Sequence, residues 1–505
     1  MRVLYVCTEL FPLLKTGGLA DVSAALPAAL AMAGCEVRVL LPAFASISAG
    51  VELQGQAIAL PATGGPDVAR TAHPVPRIVP GRVRATGQAV YLLDAPAQYE
   101  RPGGPYLDAS GHDWPDNAAR FALLSWAAAW LGCGGDPQWQ PDVVHAHDWH
   151  AGLAPVYMQL LAGGGARPAS IFTIHNLAYQ GVFPRDTLAP LGLPESLFTI
   201  DGYEYHGHLS FMKAGLQFSD ALTTVSPRYA REITTPEQGC GLDGVLRHRS
   251  GQLSGILNGV DYSVWNPASD PLLETPYEYN QMAGKAGAKR ALQRMLGLAL
   301  RPEALLFGAV SRLSDQKGFH LVPSVLDDLV AGGGQLVVLG SGDAGIEAAL
   351  RDAAARHPGQ AVLRVGYDEA LAHGIMAAAD VLLVPSRFEP CGLTQMYALR
   401  YGALPLVHGV GGLADTVTDS TPQALKDGTA SGFVFHEFSA HGLRQTMDRA
   451  FTLHRHPADW ARVQRHAMQL RFDWKVAAQA YRALYEQTAA ATPGTAYASS
   501  LNGSR

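Results

Sequence analysis

Short apolar stretches alternate with helical stretches along this chain, and the alternation occurs twice. In the first half the apolar stretches are RVLYVC, EVRVLLP, DVVHAH, SIFTIH and ALTTVS, and a helix is predicted over 19–33. In the second half they are LLFGAVSRL, QLVVLGSGD, AVLRVGY, DVLLVPSRF and LPLV. Continuously apolar strands separated by helices are typical of a parallel sheet that helices cover on both faces. The pattern therefore predicts an α/β chain with two doubly wound, Rossmann-like domains.

A segment rich in Gly, Asn, Pro and aromatic residues, LSGILNGVDYSVWNP at 253–267, separates the two patterns. We place the domain boundary there, so that residues 1–253 form the first domain and residues 254–470 the second. Residues 471–490 are predicted to form a C-terminal helix that returns to the first domain. Residues 491–505, ATPGTAYASSLNGSR, are predicted to be a disordered tail.

The charge and the cysteine content of the chain exclude some classes of protein. Lys plus Arg at 38 against Asp plus Glu at 44 gives a net charge of −6, which argues against nonspecific binding to nucleic acid or to an acidic membrane. The five cysteines contain no CxxC pair, which is typical of reduced thiols in a cytoplasmic protein. Neither a signal peptide nor an apolar stretch of roughly 18 residues is present, so we predict no membrane association.

The sequence GGLAD occurs twice, at 17–21 and at 411–415, each time after a predicted strand and before a predicted helix. In open α/β sheets ligands bind at such loops, where glycines let an anion approach the N–H groups of a helix N-terminus. Lys15 adds a full positive charge beside the first copy. Glycine pairs are also common in ordinary turns, so the motif alone leaves a structural interpretation open. Neither copy matches the dinucleotide fingerprint or the Walker loop.

Two further loops carry charged residues after predicted strands. SRLSDQKG places Arg312 and Lys317 in one loop, where they suit a diphosphate; two solvated loop cations are the alternative. PSRFEPCGLTQ places Glu389 in another, where a carboxylate suits sugar hydroxyls or a developing positive charge; a helix N-terminal acid is the alternative. Cys391 in the same loop is interpreted as a small packing residue.

A cluster of histidines in HAHDWH raises the question of a metal site. His145, His147, Asp148 and His150 extend over a predicted strand end and turn, whereas metal-binding histidines on one helix face are spaced i, i+4. We therefore predict no metal. His175, in TIHNLAYQG, ends the next predicted strand, so it is predicted to contact a substrate, although a lone histidine is more often structural.

Together these segments resemble the bacterial glycogen synthase and plant starch synthase family. The motifs KTGGLADV, DAPAQYERPG, HAHDWHAGLAP, HNLAYQG, LNGVD, SRLSDQKG, PSRFEPCGLTQ and VGGLADTV occur in the family's order between residues 15 and 417. The resemblance implies a GT-B fold, in which an acceptor-side domain and a nucleotide-sugar-side domain face each other across a deep cleft. It implies transfer of glucose from ADP-glucose to the nonreducing end of an α-1,4-glucan, with retention of configuration. It implies no cofactor and no metal, and it leaves the oligomeric state open.

The resemblance also implies roles for individual residues. Glu389 corresponds to the family's essential acid near the transferred glucose, and His175 corresponds to the histidine that contacts that sugar. Arg312 and Lys317 correspond to the pair that holds the diphosphate. The positions that match substrate-binding residues are Lys15, Gly17, Gly18, Asp21, Tyr99, Asp148, His150, Asn258, Cys391, Gly392, Leu393, Gly411, Gly412 and Leu413.

Three other functions are compatible with the same fold. Another GT-B glycosyltransferase would act on sucrose, a lipid or a small metabolite; a phosphorylase would need a lysine that carries pyridoxal phosphate; a noncatalytic glucan-binding protein would bind without releasing nucleotide. The residues by themselves do not decide between ADP-glucose and UDP-glucose. They also leave open whether retention proceeds through a covalent intermediate or through same-face displacement.

Overall fold

The computed structural model describes residues 1–492 and divides into two compact units. The first unit comprises Met1–Val225, Ala230–Leu257 and the C-terminal stretch that starts at Trp474, and the second comprises Ser226–Tyr229 and Asn258–Asp473. The main part of the first unit ends at Leu257, beyond the boundary predicted at 253. The helix predicted over 471–490 extends over Trp474–Ala491. The tail predicted from 491 lies, from residue 493 onward, outside the described residues.

The strands are numbered in chain order. They are β1 (Arg2–Val6), β2 (Glu36–Pro42), β3 (Val51–Leu53), β4 (Ile58–Ala59), β5 (Arg77–Val83), β6 (Ala89–Asp94), β7 (Val143–His147), β8 (Ala169–Ile174), β9 (Val182–Pro184), β10 (Glu204–Tyr205), β11 (His208–Ser210), β12 (Ala221–Thr224), β13 (Leu253–Gly255), β14 (Leu306–Val310), β15 (Gln335–Gly340), β16 (Ala361–Val365), β17 (Val381–Val384), β18 (Leu404–His408) and β19 (Phe433–Phe435).

The α-helices follow the same convention. They are α1 (Gly18–Met32), α2 (Ala45–Ala49), α3 (Val68–Thr71), α4 (Pro96–Tyr99), α5 (Asn117–Trp130), α6 (Ala154–Ala162), α7 (Phe211–Phe218), α8 (Pro227–Glu232), α9 (Asp243–His248), α10 (Ala283–Leu296), α11 (Leu326–Ala331), α12 (Ala344–Ala355), α13 (Glu369–Ala378), α14 (Thr394–Tyr401), α15 (Gly411–Thr416), α16 (Pro422–Asp427), α17 (Ala440–His454), α18 (Pro457–Gln469) and α19 (Trp474–Ala491). Short 3₁₀ turns cover Trp149–Ala151, Arg185–Thr187, Glu195–Leu197, Ser250–Gln252 and Phe319–Ser324, and a π-type turn covers Leu131–Gly135.

The first unit is built on one large sheet with the strand order β13-β12-β8-β7-β1-β2-β6-β5-β3, and β4 pairs with β5. The strands from β13 to β6 are parallel, and the β5, β3 and β4 edge is antiparallel. The chain leaves β1 for β2 on one side and later places β7 on the other. The carboxyl ends of β1 and β7 therefore form a topological switch point, where ligands bind in open α/β sheets.

The second unit has a six-stranded sheet with the order β16-β15-β14-β17-β18-β19, and every pairing is parallel. Its central strands β17 and β18 are buried along their whole length, as expected for strands that helices cover on both faces. Here the switch point lies between β14 and β17. The loops after these two strands contain Arg312 and Lys317 in one case and Glu389 in the other.

Helix α19 belongs to the first unit and packs against α1. The Arg482 guanidinium donates a hydrogen bond to the carbonyl oxygen of Ala33, at 2.5 Å. The buried Tyr485 hydroxyl lies 2.7 Å from Nδ1 of His145 on β7. The end of the described chain is thus anchored beneath the histidine-rich strand. Within residues 1–492, no helix is long and apolar enough to cross a membrane.

Candidate active site

The KTGG loop after β1 is organised by an acidic residue that the sequence analysis did not identify. Glu9 is 3% exposed, and its carboxylate accepts hydrogen bonds from the Thr16 hydroxyl at 2.6 Å and from the N–H groups of Thr16 and Gly17 at 2.6 and 3.2 Å. It also accepts one from the Tyr106 hydroxyl at 2.6 Å. A single acid after a buried strand gives no recognisable motif, which is why sequence analysis missed it.

Lys15 and Asp21, both predicted to bind substrate, form an ion pair at 2.8 Å. The side chains are 34% and 22% exposed, so the pair lies at the surface of the first unit. Gly17 precedes α1 with an extended backbone, and a Cβ added at Gly17 or Gly18 meets no atom within 4 Å. Packing within the described residues therefore requires neither glycine.

Asp148, which follows β7, holds the backbone at the end of β8 through hydrogen bonds. Its carboxylate accepts a hydrogen bond from the backbone N–H of His175 at 2.7 Å, and its own N–H donates to the carbonyl of Thr173 at 2.9 Å. Asp148 has φ 54°, a left-handed conformation that is uncommon outside glycine. Burial raises the pKa of its carboxyl to about 7. The predicted acceptor-side residue is thus buried and anchors the backbone of the predicted sugar contact.

The histidines of HAHDWH form a buried hydrogen-bonded cluster. Nδ1 of His147 lies 2.9 Å from Nε2 of His175, and Nε2 of His145 lies 2.6 Å from the Thr173 hydroxyl. Burial lowers the pKa of His145 and His147 well below the ordinary value and lowers that of His175 to about 3, so these rings are neutral at pH 7. Across the described residues, no group of three or more His, Cys, Asp or Glu side chains is placed to hold a metal ion.

His150 is buried and stacks on Tyr106, with ring centroids 4.6 Å apart. Tyr99 is 2% exposed, its hydroxyl donates to the carbonyl of Arg120 at 2.7 Å, and its ring packs edge-on against Phe44. Its hydroxyl and its ring are thus both engaged inside the first unit, and the predicted substrate contact of Tyr99 stays a prediction.

In the second unit, Glu389 and Lys317 form a short ion pair. Nζ of Lys317 lies 2.6 Å from Oε2 of Glu389, and the Ser386 hydroxyl donates to the same oxygen at 2.9 Å. The Lys317 side chain is 19% exposed and the Glu389 side chain is 7% exposed. Gly318 makes this approach possible: it has φ 72°, and a Cβ there would lie 1.9 Å from the carbonyl oxygen of Pro385. The loops after β14 and β17 are thus in direct backbone contact.

Arg312 follows β14 and is exposed, and its side chain has no ion-pair partner among residues 1–492. Its loop packs against two glycines, Gly340 at the end of β15 and Gly342 just after it. A Cβ at Gly340 would lie 1.9 Å from the oxygen of Ser311, and one at Gly342 would lie 2.2 Å from that of Leu313. The LGSG segment therefore supports the position of Arg312, a role that the sequence analysis did not predict.

The glycines of the second GGLAD copy, unlike those of the first, are tightly packed against backbone. Gly411 has φ 45°, and a Cβ there would lie 2.0 Å from the carbonyl oxygen of Glu389; one at Gly412 would lie 2.1 Å from that of Cys391. The N–H of Gly412 donates to the Glu389 carbonyl at 3.1 Å, and the N–H of the fully buried Leu413 donates to Val410 at 3.1 Å. These residues therefore clamp the backbone that carries Glu389, and their predicted contact with a diphosphate stays a prediction.

The remaining predicted positions lie around the start of α14. Asn258 and Cys391 are buried, and burial raises the pKa of the Cys391 thiol to about 12, so it is not a nucleophile at neutral pH. Gly392 has φ 71°, and Leu393 precedes the first residue of the helix. The side-chain amide of Gln395, which sequence analysis missed, donates to the carbonyls of Cys391 and Gly392 at 3.0 Å each. These residues shape the Glu389 loop.

The two GGLAD copies should respond differently to alanine. We expect Gly412→Ala to lower the free energy of unfolding by about 3 kcal/mol or more, because the new Cβ would overlap a backbone carbonyl. Gly18→Ala, the matched variant in the first copy, should change it by less than about 1 kcal/mol, since its Cβ has space and alanine favours helix. Denaturant unfolding monitored by circular dichroism measures both. Equal losses in the two variants would contradict the structural difference between the copies.

The buried histidines predict a sensitivity to mild acid. His145, His147, His150 and His175 have pKa values below 6.5 in the folded state, so near pH 5 each takes up a proton on unfolding. Asp148, with its pKa raised from 3.8 to about 7, releases one. For these five groups, four minus one gives a net uptake of about three protons, so their contribution to the free energy of unfolding should fall as pH drops from 6.5 towards 5. Thermal unfolding across this range measures it. Asp148→Asn should steepen the fall, and a flat profile would contradict the assignment.

Comparison with known proteins gives a consistent result for both units. The sequence model described as "Starch synthase catalytic domain" matches residues 2–248, and the one described as "Glycosyl transferases group 1" matches residues 297–466. The catalytic domain of starch synthase IV from Arabidopsis thaliana, solved with ADP and acarbose, has a TM-score of 0.85 and 31% identity, with 97% of this chain and 99% of that chain covered. The fold and the loop residues thus define a glycosyltransferase with two Rossmann-like domains of the GT-B type, as predicted.

Two curated relatives identify the family. A protein named glycogen synthase from Albidiferax ferrireducens is 57% identical over 487 residues, covering 96% of this chain and 99% of the relative. Another of the same name from Variovorax paradoxus is 54% identical over 495 residues, covering 96% and 99%. The chain belongs to the glycogen synthase and starch synthase family, which confirms the resemblance seen in its motifs.

Proposed function

We propose that the protein transfers glucose from ADP-glucose to the nonreducing end of an α-1,4-glucan with retention of configuration. The observation that carries the proposal is the Lys317–Glu389 pair at 2.6 Å, at the switch point of the second sheet, where Lys317 shares its loop with the exposed Arg312. The relatives named glycogen synthase support the reaction, and the plant starch synthase solved with ADP and acarbose supports the nucleotide and the glucan.

Arg312 and Lys317 are proposed to bind the diphosphate of the donor. Cleavage of the glucosyl–phosphate bond leaves negative charge on the nucleotide diphosphate, and cations placed where that charge develops stabilise the transition state. A guanidinium binds two phosphate oxygens at once, while an ammonium acts as a compact charge. The two side chains therefore supply complementary contacts from one loop.

Glu389 is proposed to act next to the transferred glucose. Lys317 and Ser386 both contact Oε2 of the carboxylate, which leaves Oε1 for the substrate. An oxygen with negative charge there stabilises positive character on the anomeric carbon as the leaving group departs. This holds whether the retaining reaction uses a covalent intermediate or same-face displacement, the two routes that the sequence left open.

Residues of the first unit are proposed to make the remaining contacts with the donor and the acceptor. His175 contacts the transferred glucose, while Lys15 and the backbone at Gly17 and Gly18 bind the donor. The Gly17 N–H remains on Glu9, and Asp21 is the partner of Lys15. His150 and Asp148 are assigned to the acceptor side, where Asp148 acts through the backbone of His175. A cytoplasmic location stays a prediction from cysteine usage.

Nucleotide release tests the proposed function. Purified protein is incubated with glycogen and either ADP-glucose or UDP-glucose, and released nucleotide and glucan growth are both measured. The proposal expects release and growth with ADP-glucose, and much less with UDP-glucose. Release with a nonglucan acceptor only would favour another GT-B glycosyltransferase. Glucan binding without release from either donor would favour a noncatalytic binding protein.

A further inference from the structure

A second histidine, His147, lies directly behind His175. Nδ1 of His147 is 2.9 Å from Nε2 of His175. His147 is fully buried, and its ring contacts two others: its centroid lies 3.9 Å from that of Tyr5 and 4.0 Å from that of His145. These two contacts hold the imidazole of His147 in place behind His175.

One proton lies between the two histidines. Each neutral imidazole has one N–H donor and one bare nitrogen acceptor. Burial lowers the pKa of both rings far below 7, so neither carries a second proton at neutral pH. The shared proton is therefore on Nδ1 of His147 or on Nε2 of His175, and this choice fixes the tautomer of both rings.

The far side of His147 decides between these two states. Its Nε2 atom is buried and has no hydrogen-bond partner within residues 1–492. A buried N–H without an acceptor is rarer and more unfavourable than a nitrogen lone pair without a donor. The proton of His147 is thus on Nδ1, from which it donates to Nε2 of His175. The proton of His175 must then be on Nδ1.

We infer that His147 is a positioning residue: its Nδ1–H holds His175 in the tautomer whose Nδ1–H donates a hydrogen bond to a hydroxyl of the transferred glucose. The last part of this inference rests on the proposed function, because that function supplies the sugar. Asp148 holds the backbone N–H of His175 at 2.7 Å, so the ring and the backbone of His175 are fixed by separate neighbours on the β7 loop.

Nitrogen NMR of protein labelled with ¹⁵N-histidine tests the tautomer directly and needs no donor or acceptor. Signals are assigned by comparison with His147→Asn and His175→Asn. We expect a protonated, pyrrole-type Nδ1 and a bare, pyridine-type Nε2 for His175, with the same pattern for His147. A protonated Nε2 on His175 would overturn the inference.

Variants test the positioning role. Asparagine places an amide N–H close to the position of Nδ1, so His147→Asn should retain the donor and keep kcat within about threefold of the wild type. His147→Phe fills the space without a donor and should lower kcat about tenfold to a hundredfold, the range seen for partners that orient metal-bound histidines. KM for the donor should change less than kcat. Equal losses in both variants would overturn the role.

Tyr485→Phe is the matched control. It removes a hydroxyl that lies 2.7 Å from His145 in the same cluster but does not contact the His147–His175 pair. It should leave the nitrogen signals of His175 unchanged, and a change of tautomer in this variant would count against His147 as the cause. If the wild type transfers no glucose, the proposed function fails, whereas the nitrogen signals still decide the tautomer.

Discussion

Lys317→Ala is expected to lower turnover about a hundredfold to a thousandfold, as the loss of one transition-state donor does in other enzymes. The Lys317 ammonium is proposed to stabilise the departing diphosphate. It also forms an ion pair with Glu389, with Nζ 2.6 Å from Oε2. Because Glu389 is only 7% exposed, removing its cation should also lower the free energy of unfolding. Steady-state kinetics with ADP-glucose and glycogen, together with denaturant unfolding, measure the two effects.

Arg312→Ala separates catalysis from stability. Arg312 is exposed and has no ion-pair partner in the described part of the chain, so its loss should lower turnover to a similar degree without changing the unfolding free energy by more than about 0.5 kcal/mol. Near-normal turnover in both variants would contradict the assignment of this loop to the diphosphate. A loss in Lys317→Ala alone would reduce the role of the loop to support of Glu389.

Glu389→Gln is expected to lower turnover by at least about a hundredfold while changing donor affinity only a few-fold. Glutamine keeps the shape of the side chain but removes the charge that stabilises the anomeric carbon. Turnover is measured under saturating donor and acceptor, and donor affinity is measured separately by calorimetry. Lost affinity with normal turnover would show that Glu389 only anchors the sugar.

Ser386→Ala is the control for Glu389. The Ser386 hydroxyl donates to Oε2 at 2.9 Å but carries no charge, so its removal leaves the carboxylate and its ion pair in place. We expect a much smaller loss of turnover than in Glu389→Gln, because the variant removes one hydrogen bond to the carboxylate and keeps its charge. If this variant lost as much activity as Glu389→Gln, the orientation of the side chain rather than its charge would be the important property.

The parallel strands could be predicted because they are buried on both faces. Strands such as Val143–His147 and Val381–Val384 are continuously apolar or buried, and each is followed by a helix. The short strands Glu204–Tyr205 and Val182–Pro184 were missed, since they are partly exposed and contain polar residues or proline without a regular period. Short antiparallel strands of this kind therefore cannot be predicted from the periodicity of apolar residues.

The loops of the site were predicted from motif, and their internal contacts were not. Lys317 and Glu389 stand 72 positions apart, yet the fold brings them to 2.6 Å through the close packing at Gly318. Glu9 was missed because its partners, Thr16 and Gly17, become neighbours only when the loop folds back. The burial of Tyr99 could not be predicted either, because a motif position gives no information about burial.

The repeated GGLAD also shows that a sequence motif predicts a loop but not its contacts. Identical letters predict that a helix begins in both places, and both copies do begin one, within Gly18–Met32 and Gly411–Thr416. The backbone differs, because Gly17 is extended with φ −158° whereas Gly411 has φ 45°. The surroundings differ as well, with open space beside the first copy and backbone carbonyls against the second. The repeated letters thus predict where a helix begins, whereas the neighbouring chain determines how its glycines pack.

Retaining transfer of glucose to a glucan can be followed on the sugar itself. ADP-glucose labelled with ¹³C at the anomeric carbon is supplied with a short α-1,4-glucan, and the product is analysed by NMR. We expect label in a new α-1,4 linkage at the nonreducing end, with loss of this signal in Lys317→Ala and Glu389→Gln. Label in a β linkage, in free glucose, or in unreacted donor alone would show that the proposed reaction is wrong.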